Sequence, residues 1–399
     1  MTEKTIKGRD IIIVGQQPWD VEIGSNCKNI ALEFSKQNRV LYVNSPLDRI
    51  TSIKKKNDPE IVKRLGVIKG KESGLVQLNS NLWNLYPDCI VESINWISKP
   101  SVFNFINKIN NKRFADSIKK SIKALGFSDY ILFNDNEIMK CFYLKELLKP
   151  FCSVYYSRDY ILATDYWKKH GFRLEPVVIK SSDACVANST YLAEYCRQYN
   201  ERSFYVGQGC DLEAYQQEVK MPDELKDIKQ PIIGYTGAVV TSRLDIAILE
   251  HIANSFANCT LVLVGPEDET FAASRLHNLN NVLFVGARPP YELPGYVNAF
   301  SVCINPQIVN QLTIGNYPRK VDEYLAMGKP VVATRTKAME TFDDYVYLAE
   351  NKDDYVELIK KALEENSSES SDNRKRFAAT HTWQNSVEEI YKSTNISTE

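Results

Sequence analysis

The 399-residue sequence holds no apolar run near the roughly 20 residues that a membrane-spanning helix needs. Its opening MTEKTIKGRD lacks the apolar core of a signal peptide, and Ile11 to Val14 is too short to supply one. Histidine is scarce, at 4 residues, and none is spaced for a metal site. The cysteines, 9 in number, are scattered without a C-x-x-C pair, which argues against a disulfide framework and a zinc knuckle. No G-x-G-x-x-G follows the first apolar run, where Gly15 leads into Gln16 and Gln17, so a dinucleotide-dependent oxidoreductase is disfavoured. No D-x-D motif for a metal stands in a suitable loop, and neither an internal repeat nor a low-complexity linker breaks the chain. These absences predict a reduced, cytoplasmic protein with mostly buried thiols and no metal or other cofactor.

What is present is an ordinary globular composition, 44% hydrophobic and 25% charged, over a length that suits two domains. The net charge of −1 hides an asymmetry of about +9 over residues 1–210 and about −10 beyond. Short apolar runs alternate with helical stretches in both halves. In the first they are Ile11–Val14, Arg39–Val43, Tyr130–Phe133, Val154–Tyr156, Ala184–Ala187 and Phe204–Val206, with a helix over Ser25–Gln37. In the second they are Pro231–Tyr235, Thr260–Val264, Asn281–Val285, Val302–Asn305 and Val331–Ala333, with a helix over Asp245–Phe256. Strands separated by helices predict parallel sheets covered on both faces, hence an α/β protein with two Rossmann-like domains facing a cleft. The expected division is 1–208, 209–381 and a last helix over 382–396.

Gly315 to Thr334, GNYPRKVDEYLAMGKPVVAT, carries the most chemistry. Pro318 suits a helix start and Gly328 a helix stop, and Pro330 to Ala333 is a strand buried on both faces. The first turn of that helix offers free N–H groups and the positive end of its dipole beside Arg319 and Lys320, a site for phosphate. Glu323, one turn further in, suits the diol of a nucleotide ribose.

This stretch resembles the donor-site motif of GT-B glycosyltransferases, especially the family-4-like bacterial enzymes that build surface polysaccharides. Glu323, Ala326, Gly328 and Pro330 match the second half of that motif, in which the glutamate binds the ribose. The glutamate eight positions earlier, which in the family touches the donor sugar, is replaced here by Gly315. Gly234 and Gly237 in PIIGYTGAVV, Arg243 before the next helix, LVLVGPEDET, and NVLFVGARPP with Gly286 and Arg288 follow in the family's order. The resemblance covers roughly residues 230–395 well and the first half loosely. It implies a donor set of Gly237, Arg243, Gly286, Arg288, Asn316, Arg319, Lys320 and Glu323. Gly209 and Asp211 match the family's crossover between domains. The last helix, capped by Thr382, is expected to return to the first domain, which makes His381 structural rather than catalytic.

The first half is expected to hold the acceptor, because ligands of parallel sheets gather at the carboxyl ends of strands. Gln17, Trp19, Gly24 and Ser25 follow the first strand. Trp19 suits stacking on a sugar and equally suits packing, and Ser25 also suits a helix cap. Asp135 and Asp159 end later strands, where a carboxylate serves either as a base for an acceptor hydroxyl or as an ion-pair partner. Of the two, Asp159 is favoured. Val102, Phe105, Ile106, Ile109, Ile118, Ile122 and Leu125 recur at helical spacing among Lys108, Lys112, Arg113, Lys119, Lys120 and Lys123. Such a helix over 102–125 suits an anionic membrane surface or a solvated face over a core. Nucleic acid is disfavoured by the local charge and the absence of a recognition motif. The whole predicts transfer of a sugar from a nucleoside-diphosphate sugar to a glycan or polyprenyl-linked acceptor of a bacterial surface. A nucleotide-sugar epimerase and a noncatalytic nucleotide-sugar-binding protein are the alternatives.

Overall fold

The computed structural model describes residues 8–20 and 25–394. Gly24 lies outside the described residues. The chain divides into two compact units, one running to Gly207 and resuming at Trp383, the other spanning Gln208–Thr382.

The first unit contains β1 (Asp10–Val14), β2 (Arg39–Val43), β3 (Leu47–Asp48), β4 (Leu75–Asn79), β5 (Leu82–Leu85), β6 (Ile90–Val91), β7 (Ile131–Asp135), β8 (Cys152–Ser157), β9 (Ala184–Ala187) and β10 (Ser203–Tyr205). An 8-stranded sheet runs in the order β10-β9-β8-β7-β1-β2-β5-β4, while β3 and β6 pair separately. Its pairings are parallel except at the β4–β5 edge. Both faces are covered, as the unbroken apolar runs require. In β1, Ile11 and Ile13 enter one core while Ile12 and Val14 enter the other. The helix Trp383–Thr394 closes the first of these cores with Val387, Ile390 and Tyr391, and Asn38 donates to the Tyr391 hydroxyl at 2.6 Å.

The second unit contains β11 (Ile232–Thr236), β12 (Thr260–Val264), β13 (Val282–Gly286), β14 (Val302–Asn305), β15 (Val331–Thr334) and β16 (Tyr347–Ala349). They form one parallel sheet in the order β13-β12-β11-β14-β15-β16. Each sheet reverses its strand order beside a central strand, between β1 and β7 in the first unit and between β11 and β14 in the second. In sheets of this order the carboxyl ends of those strands are where a ligand is expected to bind.

The helix Pro100–Leu125 differs from its expected amphipathic pattern. Its buried face carries Phe103, Phe114 and Ile118 together with Asn107, Asn110 and Asn111. Asn107 and Asn111 donate to the Met139 carbonyl, and Asn110 bonds the backbone of Glu92 in both directions. Because amides hold this face, Val102, Phe105 and Ile109 turn outward and are 41%, 68% and 37% exposed. Arg113 and Lys120, expected to be available to a surface, are ion-paired with Glu92 and Asp88.

Candidate functional site

In the second unit the carboxyl end of β11 meets the start of the helix Arg319–Ala326. Gly237, one residue beyond β11, has φ +128, a conformation that side chains rarely adopt. A Cβ there would lie 2.9 Å from Lys320 Nζ, so the glycine keeps space open beside the ammonium. Gly265, at the end of β12, is needed for the same reason: a Cβ on it would fall 1.9 Å from the Gly237 carbonyl oxygen. Lys320 is oriented by Tyr235, to whose hydroxyl it donates at 2.6 Å and over whose ring it lies at 4.3 Å. Tyr324 binds the end of β11 by accepting the Thr236 N–H at 2.8 Å.

Arg319 opens the helix with its Nε buried and without a hydrogen-bond partner. Glu323 lies one turn on, half-buried and hydrogen-bonded by the Tyr215 hydroxyl. Burial pushes the Glu323 carboxyl up, against the opposing pull of Arg319, Tyr215 and Lys320. Two cations, an uncapped helix start and a carboxylate thus stand within Arg319–Glu323, with Lys320 beside the space that Gly237 leaves. The donors suit an anion with several oxygens, and Glu323 suits a diol attached to it.

Behind this surface lies a group that the sequence did not disclose. Asp322 is fully buried and faces His381 Nδ1 at 2.5 Å. It also accepts from the Tyr317 hydroxyl at 2.8 Å and lies 3.2 Å from Cys210 Sγ. The Cys210 N–H donates to the His381 carbonyl, so the segments at both ends of the second unit are tied to the same helix. Burial, and then the Asp322 charge, pushes the Cys210 thiol well up, which leaves it a weak donor rather than a nucleophile.

The remaining expected donor residues stand on other elements. Arg288 donates to the Tyr296 hydroxyl at 2.8 Å and pairs with Glu224 at 3.2 Å, so its guanidinium is already engaged. Gly286 ends β13 with φ +78 and open space around it, two strands from β11 along the same edge. Arg243 is exposed in the loop after β11, where its carbonyl accepts the Ile308 N–H. Asn316 sits in the turn before Tyr317, its N–H bonded to the Thr313 carbonyl.

In the first unit the ends of β1, β7 and β8 come together. Arg158 donates through Nε to Asp135 at 2.8 Å and through Nη1 to Asp159 at 2.7 Å. Gln16 joins them with its N–H on Asp135 and its amide on the Asn136 carbonyl. Asp135 is 0% exposed, so it does not reach an acceptor hydroxyl. Its role corrects to holding Arg158, and with it Asp159, whose side chain is 52% exposed. The Arg158 guanidinium loses charge stability to burial, but the Asp135 and Asp159 carboxylates more than restore it.

The other expected acceptor residues have partners within the unit. Ser25 is buried and its hydroxyl accepts the Lys28 N–H as a helix cap, which removes it from ligand contact. Trp19 is half-buried, edge-on to Tyr42 at 5.0 Å, and packs on the core. Gln17 gives its carbonyl to the Tyr42 hydroxyl at 2.6 Å. Gly15 permits that approach, since a Cβ there would lie 2.1 Å from the same hydroxyl oxygen. Among the described residues no group of His, Cys, Asp and Glu suited to a metal ion occurs, and no helix is long and apolar enough to cross a membrane.

Residues 230–365 match the family described as "Glycosyl transferases group 1". Over 232 residues the chain is 26% identical to TuaH of Bacillus subtilis strain 168, a protein named for a glycosyltransferase role in teichuronic acid biosynthesis. That match takes in 55% of this chain and 58% of the relative, so the chain spans little more than half the length of the curated relative it matches. Sucrose-phosphate synthase from Thermosynechococcus elongatus superposes with a TM-score of 0.63 at 14% identity, over 96% of this chain and 98% of that one. Anabaena HepE in complex with UDP superposes with a TM-score of 0.63 at 13% identity, over the same 96% and 98%. At such identities the two structures speak for the fold alone. Together with the two parallel-sheet units described above, these likenesses make the architecture GT-B, and residues 230–365 are a glycosyl transferases group 1 domain.

Proposed function

We propose that this protein is a glycosyltransferase that takes a sugar from a nucleoside diphosphate and adds it to a bacterial cell-surface glycan. The observation that carries the reading is the Lys320 ammonium held beside Gly237 at the start of the helix Arg319–Ala326, with Glu323 one turn on. Arg319, Lys320 and the helix start hold the diphosphate and stabilise the charge that develops as it leaves, without a metal ion. Glu323 binds the ribose. On the first unit Asp159, oriented by Arg158, accepts the proton of the acceptor hydroxyl as the new bond forms. The surface-glycan acceptor is supported by the teichuronic acid role for which TuaH is named. Uridine diphosphate is the first donor nucleotide to try, because HepE shares the fold and binds UDP.

A thermal-shift series of nucleoside diphosphates tests the donor site, since a ligand at a hundred times its dissociation constant stabilises by about 2.7 kcal/mol. Donor binding with no transfer to any surface-glycan acceptor would turn the reading to a noncatalytic binding protein. Glu323→Gln is expected to weaken nucleoside diphosphate binding by about 1.5–3 kcal/mol while the fold stays intact, because one charge-assisted bond to the ribose is lost. Calorimetric titration showing unchanged affinity would move the ribose elsewhere.

The outer face of the helix Pro100–Leu125 supports peripheral contact with an anionic membrane, where a lipid-linked acceptor would reside. Exposed Val102, Phe105 and Ile109 share that helix with exposed Lys108, Lys112 and Lys119. Reversal of these three lysines to glutamate is expected to abolish sedimentation with anionic vesicles, at about 1 kcal/mol per basic residue. Transfer to a soluble acceptor should persist. Sedimentation that ignores both the reversal and added salt would reduce this face to a solvated surface.

A further inference from the structure

Glu175 stands apart from everything used so far. It is a carboxylate in the helix Asp165–Ser181, 1% exposed, in the first unit. Among the described residues no cation is paired with it. Its Oε1 accepts from the Tyr155 hydroxyl at 2.8 Å and its Oε2 from the Tyr195 hydroxyl at 2.9 Å. Tyr155 in turn accepts Asn136 Nδ2 at 2.7 Å. Asn136 Oδ1 accepts the backbone N–H groups of both Arg158 and Asp159, at 3.1 and 3.2 Å.

The direction of each bond from the loop to Glu175 Oε1 is forced. Two backbone N–H groups donate to one side of the Asn136 amide, so that side is the oxygen. The NH2 group therefore points at Tyr155, whose oxygen must accept it. The hydroxyl proton of Tyr155 is then left for Glu175, and Oε1 must be an unprotonated acceptor. Asn136 itself is fully buried with φ +57, a left-handed conformation that asparagine tolerates and that needs its surroundings to hold it.

We propose that Glu175 is a positioning residue for the Arg158–Asp159 loop, acting through Tyr155 and Asn136, and that the order of this loop depends on Glu175 being ionised. Its bearing on transfer rests on the role proposed above for Asp159; the loop's order does not. Protonation converts the charge-assisted Tyr155 bond into a weaker neutral one, and a proton on Oε1 reverses its direction and unseats the amide. The proton equilibrium falls in the right range, because burial raises the Glu175 carboxyl to about 7, against the pull of the two hydroxyls. The groups that face it are Tyr155 on β8 and Tyr195 and Cys196 on the helix Thr190–Arg197, with Tyr160 near by. None of them is charged near neutral pH, since burial also raises both Tyr155 and Tyr195.

Hydrogen exchange of the Arg158 and Asp159 amides, corrected for intrinsic rates, tests this in the full chain without any substrate. In the parent protein their protection is expected to fall severalfold, up to about tenfold, between pH 8 and pH 6. Glu175→Gln keeps the acceptor but has no proton to gain, so it should show the weaker protection at both pH values. Tyr155→Phe cuts the chain and should lower protection at both. A parent profile that is flat, or a pH dependence that survives in Glu175→Gln, overturns the proposal. So does unchanged protection in Tyr155→Phe. Stability gives a second measure. The folded carboxyl at about 7 lies above its ordinary 4.5, so its burial costs nothing below the lower value and its full amount above the higher. Glu175→Gln should therefore melt above the parent at pH 8 and converge with it as pH falls towards 4.5. Equal melting at pH 8 would mean that Glu175 is not a buried titrating acid, and the proposal would fall.

Discussion

Replacing Arg319 and Lys320 together with alanine is expected to weaken nucleoside diphosphate binding by a factor of about a hundred to ten thousand. Each cation contributes a charge-assisted bond of about 1.5–3 kcal/mol, and the two act on one diphosphate. Binding of the bare nucleoside should scarcely change, because it brings no charge to the pair. The structure favours a clean result. Lys320 gives up its place over the Tyr235 ring and its bond to the Tyr235 hydroxyl, which keeps the Ala238 carbonyl as a partner at 3.2 Å. Arg319 leaves no acceptor stranded at Nε, which has none. One secondary effect has a known sign: without Arg319 and Lys320 the Glu323 carboxyl rises further, since both hold it down. Calorimetric titrations with UDP and uridine separate the effects. Equal losses for both would place the pair in the support of the fold or the base pocket.

This surface was legible in the sequence because its parts are local. A proline start, two cations, a carboxylate one turn on and a glycine stop lie within one short segment, and its helix and strand formed where those signals stand. The parallel strands were legible for a related reason: strands covered on both faces have no alternation to hide, and β1, β11, β12 and β15 are buried throughout. The hairpin edge at β4 was not. Leu75–Asn79 is mostly exposed and pairs only with its hairpin neighbour, so neither burial nor alternation marks it. Asp322 left no trace because its partner His381 stands 59 positions away and its neighbour Glu323 carries the motif. The helix Pro100–Leu125 misled for a physical reason. Apolar spacing measures what water rejects, whereas its inner face is held by Asn107, Asn110 and Asn111 through directed bonds. The same blindness hid the chain from Asn136 to Glu175, whose members come from separate elements and meet only in the fold.

Asp159→Asn is expected to lower the rate of transfer by about a hundred to ten thousand fold, the range for removing a general base, with nucleoside diphosphate affinity unchanged. The fold should survive this substitution. The carboxylate is 52% exposed, and an ion pair at such a site contributes about 1 kcal/mol or less. Asp135→Ala should behave in the opposite way. It removes the buried partner of Arg158, whose side chain is only 17% exposed, and leaves a guanidinium that burial disfavours with the exposed Asp159 carboxylate but not the buried one. Breaking such a pair costs about 3–5 kcal/mol, so the melting temperature should drop sharply, and activity should fall with the folded fraction and with the loosened hold of Arg158 on Asp159. The two aspartates therefore separate chemistry from support, although they bind the same arginine. Single-turnover rates and melting curves on both variants decide the matter. A variant Asp159→Asn that transfers at the parent rate would show that the acceptor proton leaves by another route, and the exposed carboxylate would then be a surface partner of Arg158 alone.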